Sequence, residues 1–258
     1  MKYSKILYEV KNHVAKITLN EPEKMNRLMY EMIQEIMSAL EEAKGDKEVQ
    51  VIVITGAGKA FCAGANIAEF RKKPAIEDYY HYEAYMKMSE VFPKVGKPTI
   101  AMVNGLALAG GCGLAIFPDI TIASETAKFG LPEINVGVWS AMVSATLARV
   151  MGRKKAIELL MTGEMIDARE AERIGWVNKV VPPGELEKET MAVAEKLKEK
   201  SPVIMRLGRD SFYTMWDMNF DNAMRYLRDI IVIVLATEDS QEGVNAFLEK
   251  RKPVWKGR

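Results

Sequence analysis

The sequence predicts an α/β protein with a helical region at its C-terminal end. Three observations carry this. Buried-type apolar runs alternate with helix-periodic segments through the first two-thirds of the chain. Two of those runs end in small-residue loops, Thr55 to Asn66 and Leu108 to Leu114. After Pro182-Pro183-Gly184 strand patterns stop and only helical patterns remain. The division this implies is a core over 1–184 and a helical region over 185–258 that packs on the core or on another subunit.

In chain order, Leu7 to Val10 and Val14 to Leu19 read as a hairpin turning at Lys11-Asn12-His13, which makes His13 a turn residue. Ile33, Ile36, Met37 and Leu40 fall at i, i+3, i+4, i+7, one face of a helix that Gly45-Asp46 ends. Val51 to Ile54 is a β-branched run of the kind found in strands buried on both faces. Strand–helix–strand order implies parallel pairing through a crossover. The loop Thr55 to Asn66 follows at the carboxyl end of that strand, where α/β sheets place their ligands. It lacks the Lys-Ser/Thr ending of a phosphate-binding loop and is not a clean GxGxxG. From Ile67 to about Pro93 runs a tyrosine-rich helix or polar loop with Tyr79, Tyr80, Tyr82, Tyr85 and His81, read as packing or a cover.

Thr99 to Val103 is the next strand, and Asn104-Gly105 turns the chain into Leu108 to Leu114. Gly110, Gly111 and Gly113 crowd the entrance of a helix whose apolar body is Ala115, Ile116 and Phe117. A glycine inside a helix costs about 1 kcal/mol against alanine. Such spacing suits either tight packing on a sheet or free first-turn N–H groups aimed at an anion or oxyanion. Two strand-end loops side by side can aim two N–H groups at one oxygen. Asp119 to Ala123 is a further strand. Glu133 then follows a proline among Phe129, Gly130, Leu131, Ile134 and Val136. In apolar surroundings a carboxylate has a raised pKa and carries protons near neutrality; a solvated turn glutamate or helix cap is the plainer reading. Helices follow from Gly152 to Leu160 and from Asp167 to Gly175, then a last strand from Trp176 to Val181.

Composition narrows the function. The 258 residues are 48% hydrophobic and 28% charged, ordinary for a globular chain. A formal net charge of +1 and the lack of a basic patch speak against nucleic acid or an anionic membrane. Two cysteines, Cys62 and Cys112, with no CxxC pair, indicate neither a zinc site nor a disulfide framework. The longest apolar run, Ile230 to Ala236, falls far short of a bilayer span. Met1 to Val10 has no signal-peptide core, so the cytoplasm is the expected compartment.

With these pieces placed, the sequence resembles the crotonase (enoyl-CoA hydratase/isomerase) family. The resemblance rests on Phe61 to Ile67, Val103-Asn104-Gly105 with Leu108 to Leu114, Asp119-Ile120, Phe129 to Ile134, Leu160 to Gly163, Ala171 to Val177 and Glu242-Gly243 through Phe247 to Arg251. It implies a spiral of ββα units with a C-terminal helical region, assembled as a homotrimer or a pair of trimers. It also implies an acyl-CoA thioester substrate and no metal or redox cofactor, CoA being part of the substrate. The thioester oxygen would sit on the N–H groups of Ala65 and Gly110, with Glu133 as the proton carrier. CoA contacts would fall on Lys24, Met25, Ala63 and Ile67, with Phe247 and Lys250 approaching the CoA of a neighbouring subunit.

The chain departs from the family pattern at several points. One of the two glutamates usual in hydratases would fall at Gly113, and only the other, Glu133, is present. Asn66 stands where an aspartate is common, and Trp139-Ser140-Ala141-Met142-Val143 replaces a glycine-rich stretch. Gly113, Trp139 and Met142 therefore reshape the expected acyl pocket. The readings that follow are an enoyl-CoA hydratase first, a single-glutamate isomerase second, and a decarboxylase or hydrolase of a branched or dicarboxylic acyl-CoA beside them. A CoA-binding protein without catalysis is the rival of another class. A second proton carrier could come from Tyr82 or His81.

Overall fold

The computed structural model describes residues 3–65 and 74–258. Its framework is a six-stranded sheet: β1 (Ile6–Lys11), β2 (Val14–Leu19), β3 (Val51–Gly56), β5 (Thr99–Val103), β7 (Ile120–Ser124) and β10 (Lys179–Val181), in the order β1-β2-β3-β5-β7-β10. Only β1 runs antiparallel; β2, β3, β5, β7 and β10 pair in parallel. A second sheet holds four three-residue strands, β4 (Ala60–Cys62), β6 (Leu106–Leu108), β8 (Lys128–Gly130) and β9 (Met165–Asp167).

The helices complete a repeating unit. After α1 (Tyr30–Gly45), a large-sheet strand, a small-sheet strand and a helix recur: β3–β4 with α2 (Ala75–Lys94), β5–β6 with α3 (Gly110–Ile116), and β7–β8 with α4 (Ala141–Val150). This is the ββα spiral. α5 (Arg153–Thr162) and α6 (Ala168–Arg173) lead to β10, and α7 (Leu186–Lys198), α8 (Pro202–Met215), α9 (Phe220–Leu235) and α10 (Glu238–Leu248) close the chain.

The β-branched run in β3 does what its composition requires. Ile52 and Ile54 point into the main core, with Ala101 and Val103 of β5. Val51 and Val53 point to the other face, where Ile100, Met102, Leu186 and Ala194 join them. α7 thus covers the second face of the sheet. α8 is tied to the body by an ion pair between buried Arg209 and half-buried Asp119: Arg209 Nε donates to Asp119 Oδ2 at 2.8 Å, and Tyr213 Oη donates to Asp119 Oδ1 at 2.6 Å.

Several expectations change. The glycines do not stand before the helix; α3 begins at Gly110 and ends at Ile116, so Phe117 lies past it. Gly111 is there for packing: an added Cβ would lie 2.8 Å from the Cys62 carbonyl carbon. The small sheet was not foreseen, because alternation cannot register in three residues. α4 was not foreseen either. The last strand is shorter than Trp176 to Val181; Trp176 instead turns into the core, stacked beside Phe129 with ring centroids 5.2 Å apart. No helix among the described residues is long and apolar enough to cross a membrane.

Candidate active site

Parallel pairing of β3 with β5 sets their carboxyl ends side by side, and with them the two small-residue loops. The loops touch. A Cβ on Gly64 would lie 2.7 Å from Ala109 Cβ, 2.8 Å from Leu108 O and 3.2 Å from Gly110 N. Only a glycine, here at φ 73°, allows that approach. A lacing of backbone bonds holds the first loop from behind. Ala63 N–H donates to Met25 O at 3.0 Å, and Leu28 N–H donates to Gly64 O at 2.9 Å. Asn26, fully buried, accepts from Glu21 N–H and donates to Ala57 O and Ala60 O.

The second loop carries strain. Ala109, the residue before α3, has φ 54° and ψ −126°, a conformation alanine rarely takes. It aims the first turn of α3, whose leading N–H groups have no partner within the helix. Ala65 and Gly110 thereby line one cavity of about 460 Å³, together with Glu133, Ser140, Trp139 and Met142. Helix α2 forms its opposite wall through His81, Tyr82 and Tyr85.

Glu133 enters from the 3-10 turn Pro132–Val136, directly after β8. Its carboxylate is half-buried, and Oε2 is shielded from solvent without a hydrogen-bond partner among the described residues. Burial pushes its pKa above the ordinary carboxylate range, and the Ser140 side chain, hydrogen-bonded to it, pulls partly back. The solvated-turn reading does not describe this residue. A half-buried carboxylate in one cavity with backbone N–H donors can move a proton while the donors hold an oxygen that gains charge.

The other expected residues divide. Ala63, Trp139 and Met142 line the cavity. Lys24 and Met25 sit on the exposed side of the loop that backs it, Met25 in the left-handed region at φ 54°. Ile67 and Asn66 lie outside the described residues. Phe247, on α10, and Lys250, just past it, are not part of this cavity within one chain; Phe247 lines a separate apolar hollow of about 910 Å³ between α7, α8 and α10. That hollow is larger, but of its charged groups Asp119 and Arg209 are paired to each other and Asp239 is bonded by Ser201 and the Lys256 and Gly257 N–H groups. Gly113 does not reach the cavity either. It faces Tyr85, and a Cβ there would overlap the Tyr85 hydroxyl oxygen.

Tyr85 and Ser140 were not singled out from the sequence. Tyr85 is one of four tyrosines in one segment, and helical period alone does not say which faces Gly113. Ser140 precedes a helix that had no recognised start.

Comparisons with known proteins show the family and the fold. The sequence profile of the enoyl-CoA hydratase/isomerase family matches residues 9–258. A Rhizobium meliloti protein named "Probable enoyl-CoA hydratase" is 39% identical over 259 residues, covering 100% of both chains. The crystal structure of human enoyl-CoA hydratase domain-containing protein 3 superposes with a TM-score of 0.95 at 34% identity, covering 98% of this chain and 100% of that one. An enoyl-CoA hydratase from Bacillus anthracis superposes with a TM-score of 0.94 at 32% identity over 99% of this chain and 100% of its own.

Proposed function

The chain belongs to the enoyl-CoA hydratase/isomerase family, and from that premise we propose that it adds water across the double bond of a 2-enoyl-CoA. The observation that carries this reading is Glu133: a carboxylate with a raised pKa and an oxygen without a partner among the described residues, in the same cavity as Ala65 and Gly110. The thioester oxygen accepts from the N–H groups of Ala65 and Gly110. Water attacks C3 and Glu133 takes its proton. The π electrons move to the thioester oxygen, forming an enolate that the two N–H groups stabilise. Glu133 then returns the proton to C2 and the carbonyl reforms. Each such donor typically contributes about 3 kcal/mol to the transition state.

Lys24, Met25, Ala63 and Ile67 are the proposed CoA contacts. A second copy of the chain is the proposed occupant of the apolar face of α9, where Phe220, Met224, Ile231, Val232 and Leu235 are exposed. Assembly as a trimer or a pair of trimers would bring Phe247 and Lys250 to a neighbour's CoA.

The absence of a carboxylate at Gly113 favours a second reading, a one-base isomerase moving a double bond from C3 to C2. Mass spectrometry separates the two. Crotonyl-CoA and a 3-enoyl-CoA are each incubated with the protein in ¹⁸O-labelled water. Heavy oxygen in a 3-hydroxyacyl product supports hydration. Conversion of the 3-enoyl to the 2-enoyl thioester without oxygen uptake supports isomerisation instead. Tight binding without either product, on branched and dicarboxylic esters too, would leave a CoA-binding protein.

A further inference from the structure

We propose that the Tyr85 hydroxyl positions the attacking water, accepting one of its hydrogens while Glu133 accepts the other. The proposal rests on the hydratase reading and deepens it. Tyr85 is 4% exposed, its ring lying against the first turn of α3. A Cβ on Gly110 would sit 3.3 Å from its Cε2, and Phe117 meets the ring edge-on with centroids 5.5 Å apart. The side chain therefore has one place to be. Its oxygen occupies the space that any side chain at position 113 would need.

The hydrogen-bond count then decides the role. A phenol has one proton to give and lone pairs to accept with. Tyr85 Oη spends its proton on Gly110 O at 3.1 Å. What it has left to offer is acceptance. Burial, with nearby Glu133 adding to it, pushes the phenol well above its ordinary pKa, so it stays neutral at working pH. Tyr85 and Glu133 line the same cavity, and Glu133 Oε2 is buried with no protein partner among the described residues. Such an atom in a polar corner calls for a water.

A water donating to both oxygens keeps its lone pairs for C3 of the enoyl group. Its oxygen forms the C3–O bond, one O–H bond breaks toward Glu133, and the other becomes the product hydroxyl. The Glu133 proton ends on C2. The sum is one water added, with no other reactant. Orientation that a second carboxylate would supply is thus supplied by a neutral hydroxyl, and Glu133 alone moves protons.

The test compares two reactions of one site. Isomerisation of a 3-enoyl-CoA needs Glu133 and the N–H donors but no water. Tyr85→Phe keeps the ring and removes the acceptor. Its kcat for hydrating crotonyl-CoA should fall about tenfold to a hundredfold, the usual weight of one hydrogen bond to a charged or reacting group. KM should stay within about twofold, and the ratio of hydration to isomerisation should fall at least about tenfold. A residue that only shapes the pocket would move KM, or both reactions alike, and that result overturns the proposal. Should Tyr85→Phe fold poorly, p-aminophenylalanine at position 85 keeps a donor for Gly110 O but is a poor acceptor. Hydration at the native rate by that variant also overturns the proposal. A native protein that incorporates no ¹⁸O from water sinks the hydratase reading itself, and this inference with it.

Discussion

The fit of Tyr85 against Gly113 can be tested on stability alone, without any substrate. Gly113→Ala places a Cβ in the interior of α3. In a free helix that change would stabilise by about 1 kcal/mol. Here the new carbon overlaps the Tyr85 oxygen by more than an ångström and stands 3.2 Å from Tyr85 Cζ and 3.3 Å from Phe117 Cζ. Overpacking of this kind costs about 1–3 kcal/mol, and the depth of the overlap places it near the upper value. The net expectation is about 2 kcal/mol of destabilisation, or roughly 4–8 °C in Tm for a chain of this size. In a Tyr85→Phe background the overlapping atom is gone. The remaining contacts are tight by only a few tenths of an ångström, so the helix-propensity gain should offset them and the same substitution should become close to neutral. Thermal and urea unfolding of all four proteins, at one fixed protomer concentration, gives the coupling energy directly. An equal loss in both backgrounds would refute the placement of Oη over Gly113, and the further inference would lose its geometry.

The other predictions concern separate parts of the molecule. Glu133→Gln should lower turnover by about 10²–10⁴-fold while acyl-CoA binding, measured by calorimetry, persists. Only ionised Glu133 accepts a proton from water, so native kcat should rise as pH climbs through its raised pKa, and the Gln variant should lose that limb. The linked stability effect has the opposite sign. The folded protein holds this proton more tightly than the unfolded chain, so stability falls as pH rises from the ordinary glutamate pKa through the raised one. At neutral pH Glu133→Gln should therefore unfold no earlier than the native protein. Asn26→Ala removes the donors for Ala57 O and Ala60 O, both bonded by a fully buried side chain; about 1–3 kcal/mol of stability should be lost and KM for acyl-CoA should rise. Arg209→Met leaves Asp119 without its 2.8 Å partner, and urea unfolding should report a loss of about 3–5 kcal/mol, recovered in part by Asp119→Leu in the same chain. Val232→Glu on the exposed face of α9 should shift the mass seen by light scattering toward that of the monomer, and an unchanged mass would remove α9 from the assembly face.

Much of the site was legible because it is made of backbone. Glycine and proline mark where a chain must turn or come close, so the loops after β3 and β5 could be placed as strand-end loops before their neighbours were known. Glu133 was legible as a charge in an apolar run. The central strands were legible through β-branched composition, and the helical character of the region after Gly184 through its period, though not the break between α9 and α10. What escaped depends on contacts between distant segments. The short strands of the small sheet hold their shape only because each pairs with another, as Leu108 does with Gly130. Tyr85 and Tyr82 lie three positions apart on one helix and both reach the cavity; which of them meets Gly113 is decided by how α2 lies across α3, and no local pattern in α2 records that. Asn26 reads as a polar residue in a loop, yet it is fully buried because the carbonyls of Ala57 and Ala60 lie waiting for its amide.

The conflicts with local preference also gather in one place. Ala109 carries a backbone conformation that costs about 1–3 kcal/mol in most settings. Glu133 keeps a half-buried carboxylate with one oxygen unpartnered among the described residues. Gly113 forgoes the propensity of a helix-forming residue. Two could be relieved by a single substitution, at Ala109 by glycine and at Glu133 by glutamine, and the third by alanine at Gly113 together with a shortened Tyr85. Packing alone gives no reason to keep all three. The proposed reaction would: in it Ala109 aims the Gly110 N–H, Glu133 takes and returns the proton with a pKa that burial raises, and Gly113 makes room for the hydroxyl that completes the water's bonds. Relieving any one of them should leave the fold in place and diminish the chemistry, which is the pattern expected where stability and activity oppose each other.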